Sequence, residues 1–200
     1  MSAASDSPTD ILRNLAQNIH ALYHRIENEF KSKKKIIIYG SYLMHEEGIE
    51  LLTYLKNELK KRRYKNVYLV KDFSDKELKV PRISDEPLRN FIRSVKSFDL
   101  ADILIFVFPF VPLSFHLSGV LVELTYYVAL REMKGWSTYA LVLIDERLNR
   151  MRKITSLLYG MIRYHDLENR VFADKKEALS NILSFIQYVI SEEIQRIPFR

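Results

Sequence analysis

Four short apolar runs, rich in β-branched and aromatic residues, recur along the chain with longer amphipathic stretches between them. They are "KKIIIYGS" ending at Ser41, "NVYLVKDF" from Asn66, "ADILIFVF" from Ala101 and "STYALVLID" from Ser137. A run that is apolar without alternation suits a strand covered on both faces, because each successive side chain then meets a packed layer rather than water. Strands that alternate with helices pair in parallel, the helices serving as crossovers. The pattern predicts a flavodoxin-like, doubly wound α/β fold with a mainly parallel, five-stranded sheet and an extra N-terminal helix.

The intervening stretches carry helical periodicity. "TDILRNLAQNIHALYHRIENEF" places Ile11, Leu15, Ile19, Leu22, Ile26 and Phe30 on one stripe behind a cap at Thr9 or Asp10. "GIELLTYLKNELKKRR" repeats the pattern through Leu52, Leu55 and Leu59, and "DEPLRNFIRSVKSFDL" opens on an acid and a proline, a helix-start signal. A helix is expected from about Leu117 to Met133. After the fourth strand come a helical "RMRKITSLLYG" and a short fifth strand, "MIRYHD". The last segment, "DKKEALSNILSFIQYVISEEIQR", puts Leu179, Ile182, Ile186, Val189 and Ile190 on one helical face. Residues 1–34 read as a helical extension and 35–200 as a single Rossmann-like domain, with no internal repeat or linker.

Composition narrows the chemistry. The chain of 200 residues has no cysteine, which excludes disulfides, thiolate metal sites and a cysteine nucleophile. With three glutamines and abundant Lys, Arg, Glu and Tyr, it hints at a heat-adapted protein. The net charge of +6 favours an anionic partner. The opening "MSAASDSPTD" lacks the charged and apolar regions of a signal peptide, so a cytoplasmic location is expected. Ile103 to Val122 is twenty residues long without a formal charge, but Pro109 and Pro112 interrupt it; strand, loop and helix start are expected there, not a membrane span.

In doubly wound sheets ligands bind beyond the carboxyl ends of the strands, near the switch in strand order. Three loops reach that edge: "YGSYLMHEEG", "DFSDKELKVPRIS" and "PFVPLSFHLSG". In the first, Gly40, Ser41 and Tyr42 form a strand-to-helix turn that serves either as a plain turn or as a phosphate cradle. Neither the Walker lysine pattern nor G-x-G-x-x-G is present. The third loop ends at Ser118 and Gly119, an N-cap and first helical turn, and Glu123 follows as a lone acid in "HLSGVLVELTYY", with Tyr126 and Tyr127 at i+3 and i+4. Two readings of Glu123 stand open. It is a helix-start acid held by the dipole or a cation, or a desolvated carboxyl whose raised pKa suits it to act as base or nucleophile.

Other polar groups are weaker candidates. His45, Glu46 and Glu47 form one cluster; His20 and His24 stand at i,i+4 without a third ligand, so no metal site is expected. The basic runs "KSKKK" and "KKRRYK" read as solvated helix ends, lacking the interleaved aromatics of a nucleic-acid surface.

Taken together, "IIIYGSY", "ADILIFVF" and "SGVLVEL" resemble the nucleoside deoxyribosyltransferase family and its nucleotide N-glycosidase relatives, and more distantly TIR-like domains. The likeness runs over roughly Lys35 to Ile190, mostly as architecture. It implies that Glu123, in Gly119-Val120-Leu121-Val122-Glu123-Leu124, is the nucleophile on the anomeric carbon of a sugar. It implies that Tyr42 lies over base or sugar, and that Ser41 and Ser118 contact phosphate or sugar hydroxyls. Relatives of this type often complete each site with a neighbouring subunit. The chain departs from the pattern at two places. Ser94 stands where the family has an aspartate that helps protonate the base, and "PFVPLSFH" replaces an acidic, Gly-containing loop. Either another group, His116 or His45, then donates the proton, or the chain is a binding protein that kept the pocket.

The expected function is that of a nucleoside or nucleotide N-glycosidase, or a deoxyribosyltransferase-like protein. Glu123 and His116 are the catalytic candidates; Gly40, Ser41, Tyr42, Ser118 and Gly119 are the binding candidates. The alternatives are a non-catalytic nucleotide-binding or TIR-like sensor and, third, a nucleic-acid-associated scaffold. No cofactor is expected. The partners expected are a nucleoside or nucleotide and a second copy of the chain in a homodimer, without membrane or nucleic acid.

Overall fold

Along β1 (Lys35–Tyr39) the side chains divide cleanly between two apolar layers: Ile36 and Ile38 point into one, Ile37 and Tyr39 into the other. β3 (Ile103–Phe108) does the same, with 103, 105 and 107 on one side and 104, 106 and 108 on the other, and all six residues are buried. This is why the runs carry no alternation: both faces are covered. The computed structural model describes residues 8–40, 46–110, 117–135, 138–150 and 152–196.

With β2 (Asn66–Leu69), β4 (Tyr139–Asp145) and β5 (Glu168–Phe172), these strands form one all-parallel sheet in the order β2-β1-β3-β4-β5. It is the flavodoxin-like, doubly wound α/β arrangement. One face packs on α1 (Pro8–Lys33), α2 (Glu46–Lys61) and α7 (Lys175–Gln195). The other packs on α3 (Glu86–Phe98), α4 (Leu117–Lys134) and α6 (Arg152–Tyr164), with a short α5 (Glu146–Asn149) at the end of β4. The core residues expected on α2 and α7 are in place, each no more than 5% exposed.

Local chemistry sets the element ends. α3 starts where the Asp85 carboxylate accepts from the Leu88 N–H at 2.7 Å, with Pro87 in the first turn. α7 starts at Asp174, which accepts from the N–H groups of Lys176 and Glu177. α4 stops at Gly135, whose φ of 62° is open to glycine at little cost. β2 is shorter than its apolar run, because the Asp72 carboxylate accepts from the Leu69 N–H at 2.6 Å and turns Val70–Asp72 into a 3₁₀ helix.

One expected strand is not there. The first four residues of "MIRYHD" belong to α6, where Leu158 and Ile162 are buried one turn apart, and His165 and Asp166 form the turn after it. The chain reverses at Asp166, with φ 49°, and β5 is the less apolar "ENRVF" that follows. An edge strand with only Phe172 fully buried gives little apolar signal.

The long uncharged stretch resolves into β3 and the start of α4, and no helix among the described residues is long and apolar enough to cross a membrane. The basic runs are tied to acids: Lys31 to Glu27 at 2.7 Å, Lys34 to Glu193 at 2.6 Å, and Lys61 and Arg62 both to Glu58.

Candidate active site

β1 and β3 lie side by side, and the helices that follow them, α2 and α4, pack on opposite faces of the sheet. The crevice this leaves beyond the strand ends is where such sheets hold ligands. Glu123 lies in the second turn of α4, the helix that follows β3. Its side chain reaches across to α3, the neighbouring helix on the same face of the sheet.

The Glu123 carboxyl accepts a hydrogen bond from the Ser94 hydroxyl of α3 at 2.5 Å. Among the described residues no lysine or arginine is paired with it. Burial strips the carboxyl of water and pushes its pKa up from the ordinary 4.5 to about 7, while the Ser94 hydrogen bond pulls the other way. The residue as a whole is only half-buried. The carboxyl is therefore poorly hydrated, although the residue as a whole keeps some exposure, and its pKa is raised toward the neutral range.

Ser94 belongs to a longer buried chain of polar groups. Its backbone carbonyl accepts from the Ser97 hydroxyl at 2.7 Å, and the Ser97 oxygen in turn lies 2.6 Å from the Tyr39 hydroxyl at the end of β1. Since Ser97 gives its proton to the carbonyl, Tyr39 is the donor in the last contact. The Tyr39 ring is fixed against Phe98 and Phe106, at centroid distances of 5.2 and 5.0 Å. Tyr127, one turn after Glu123, is fully buried in the same aromatic cluster, and its hydroxyl donates to the Thr138 carbonyl. These packed rings hold α3 and α4 against the sheet, and with them the pair Ser94–Glu123.

The remaining predicted residues fall variously. Gly40 follows β1, and its lack of a side chain has a packing cause: a Cβ there would stand 2.7 Å from the buried Leu52 of α2. Gly119 is exposed in the first turn of α4 with open space around it. Ser41, Tyr42, His45 and His116 lie outside the described residues, as does the side chain of Ser118. His20 and His24 touch, with 3.0 Å between their Nε2 atoms, and His24 lies 3.4 Å from Glu27 on an exposed helix. No cluster of three metal-ligating side chains occurs among the described residues.

Two further features belong to the rim, the first without a sequence signal and the second in the loop "DFSDKELKVPRIS". At the end of β4 the buried Asp145 caps α5 and binds Arg147 through both carboxylate oxygens, at 3.1 and 2.9 Å. The guanidinium lies 4.8 Å from the Phe110 ring, just past β3. Its hydrogen bonds to Asp145 hold Arg147 above its ordinary pKa range, with a smaller pull from Glu47 at the start of α2. The second is an open cavity of about 520 Å3 in the loop between β2 and α3, lined by Asp75, Arg82, Ser84 and Arg89 among others. Asp75 is neutralised by Arg93, 2.6 Å away. Arg82 and Arg89 have no acceptor among the described residues, and the Nε of Arg89 is buried without a partner. This leaves the cavity cationic, on the same helix that supplies Ser94.

No protein-family model matches the chain, and no curated protein or solved structure matches it.

Proposed function

We propose that the protein is a nucleoside or nucleotide N-glycosidase in which Glu123 is the nucleophile. The observation that supports this reading is the Glu123 carboxyl itself, poorly hydrated, free of any described cation and held by the Ser94 hydroxyl. The carboxylate attacks the anomeric carbon as the glycosidic C–N bond breaks, and the bonding pair leaves with the base, which takes a proton from a donor. Water then attacks the glycosyl ester, releases the sugar and restores the carboxylate. A dry, aimed carboxylate stabilises the positive charge that develops on the sugar ring. The uncompensated arginines of the α3 cavity favour a substrate that carries phosphate.

Ser94 positions Glu123 and does not supply the proton to the base, because a hydroxyl is too weak an acid for that task. That substitution also favours a second reading, a pocket that binds nucleotides without cleaving them.

The test is incubation with deoxynucleosides, deoxynucleotides and NAD, followed by chromatography for free base. Base release that Glu123→Gln abolishes supports the nucleophile. Release unaffected by that change removes it. A thermal shift with nucleotides and no release of base supports the binding reading. The pH profile adds a sign: a nucleophile must be ionised, so activity rises through about pH 7. Ser94→Ala takes away the bond that lowers the pKa and moves that rise to higher pH.

A further inference from the structure

The first part of α1 stands clear of the body. Every side chain from residue 12 to residue 22 is exposed, although this stretch includes four large apolar residues. Leu12 is 66% exposed, Leu15 54%, Ile19 57% and Leu22 37%. Only after Leu22 does the helix meet the core, through half-buried Tyr23 and Ile26 and then buried Phe30. The apolar stripe runs the length of the helix in the sequence and suggests self-association there; the structure docks only its last third on the core.

The exposed residues are spaced three, four and three apart, and Ile26 continues the series with a further four. That is the a/d register of a coiled-coil seam, carried through two heptads. A free helix of this length is marginal in water, so its persistence calls for a partner on the apolar side. The seam is narrow. Apart from Ala16, Ala21 and Tyr23, the positions around it are polar or charged, namely Arg13, Asn14, Gln17, Asn18, His20, His24 and Arg25, and this favours one partner helix over the broad apolar face that lies in a membrane surface.

We infer that the partner is a second copy of this chain, paired through Leu12, Leu15, Ile19 and Leu22 across a twofold axis. A Leu/Ile seam is complementary to itself under such an axis. Among the flanking e and g positions, Ala16, Asn18 and Tyr23 are uncharged and Arg25 is the one charge, so nothing in the seam repels an identical chain. The pairing is antiparallel. Each body has formed around the C-terminal end of its helix, and the chain carries a net charge of +6, so an antiparallel overlap keeps the two bodies at opposite ends. It also opposes the two helix dipoles. This surface is independent of the chemistry at Glu123.

Light scattering on the full chain is expected to give the mass of two chains. The double variant Leu15→Lys/Ile19→Lys is expected to give the mass of one, with an unchanged thermal midpoint for the body, because neither side chain is buried. The chain has no cysteine, so orientation can be read by crosslinking: a mixture of Leu12→Cys and Leu22→Cys proteins is expected to form disulfide-linked dimers between the two variants. A single-chain mass at all concentrations, or a dimer that survives the double lysine variant, overturns the inference. Binding of a monomer to lipid vesicles that the double variant abolishes also overturns it, in favour of a membrane surface.

Discussion

Burying a carboxylate costs stability whenever it is ionised, and at Glu123 no described cation offsets the cost. The folded chain holds the proton to about pH 7, whereas the unfolded chain releases it near the ordinary 4.5. Between those values the folded state binds more protons, so stability falls as pH rises through the window; below it the cost is absent, and above it the loss is complete. Glutamine keeps the side-chain shape and an acceptor for Ser94 but cannot ionise. Glu123→Gln should therefore leave thermal stability near its wild-type value at pH 4.5 and raise it at pH 8 by on the order of 2–3 kcal/mol. Urea unfolding at the two pH values measures this, and an equal effect at both would mean that the carboxyl is not dry in the folded protein. A residue whose neutral isostere is more stable at neutral pH is one kept for its ionisation. The acid was legible in the sequence because it stood alone among apolar neighbours. Its partner was legible only as a position eight residues before Asp102, since the bond joins residues 29 apart in the chain. The Tyr39–Ser97 link, spanning 58 residues, left no sequence signal at all.

At the scale of elements, period and punctuation carried most of the fold. The central strands announce themselves because both of their faces are buried, and α2 and α7 because one face is. What failed was β5: an edge strand buries little, so "ENRVF" is nearly as polar as a loop, and the more apolar "MIRYHD" drew the assignment one segment early. Packing between elements was also hidden. Gly40 can be read as a flexible turn that cradles phosphate, yet its measurable role lies in the contact between the end of β1 and α2. A methyl group there would press on both Cδ atoms of Leu52, at 2.7 and 2.8 Å, and Leu52 is 1% exposed and cannot swing away. Gly40→Ala should cost about 1–3 kcal/mol through overpacking. A shorter side chain at residue 52 should recover part of that loss, so the double variant Gly40→Ala/Leu52→Val is expected to be more stable than the sum of the two single changes. Additive losses in a double-mutant cycle would place the role of Gly40 elsewhere.

Across the whole molecule, the two apolar layers on either side of one sheet hold nearly all the described buried residues, and the first part of α1 contributes to neither. The chain should therefore open in separate units. Amides of β1, β3 and β4 are bonded on both sides within the sheet and covered on both faces, so they exchange only when the body unfolds. Amides of residues 12–22 depend on a helix that no tertiary contact supports, so their protection should come from association and follow mass action. On dilution, hydrogen exchange is expected to accelerate over residues 12–22 while the three central strands keep their rates. The Leu15→Lys/Ile19→Lys variant should exchange quickly over that helix at every concentration. Protection of the helix that ignores both dilution and those lysines would mean that its apolar side is covered from within the same chain.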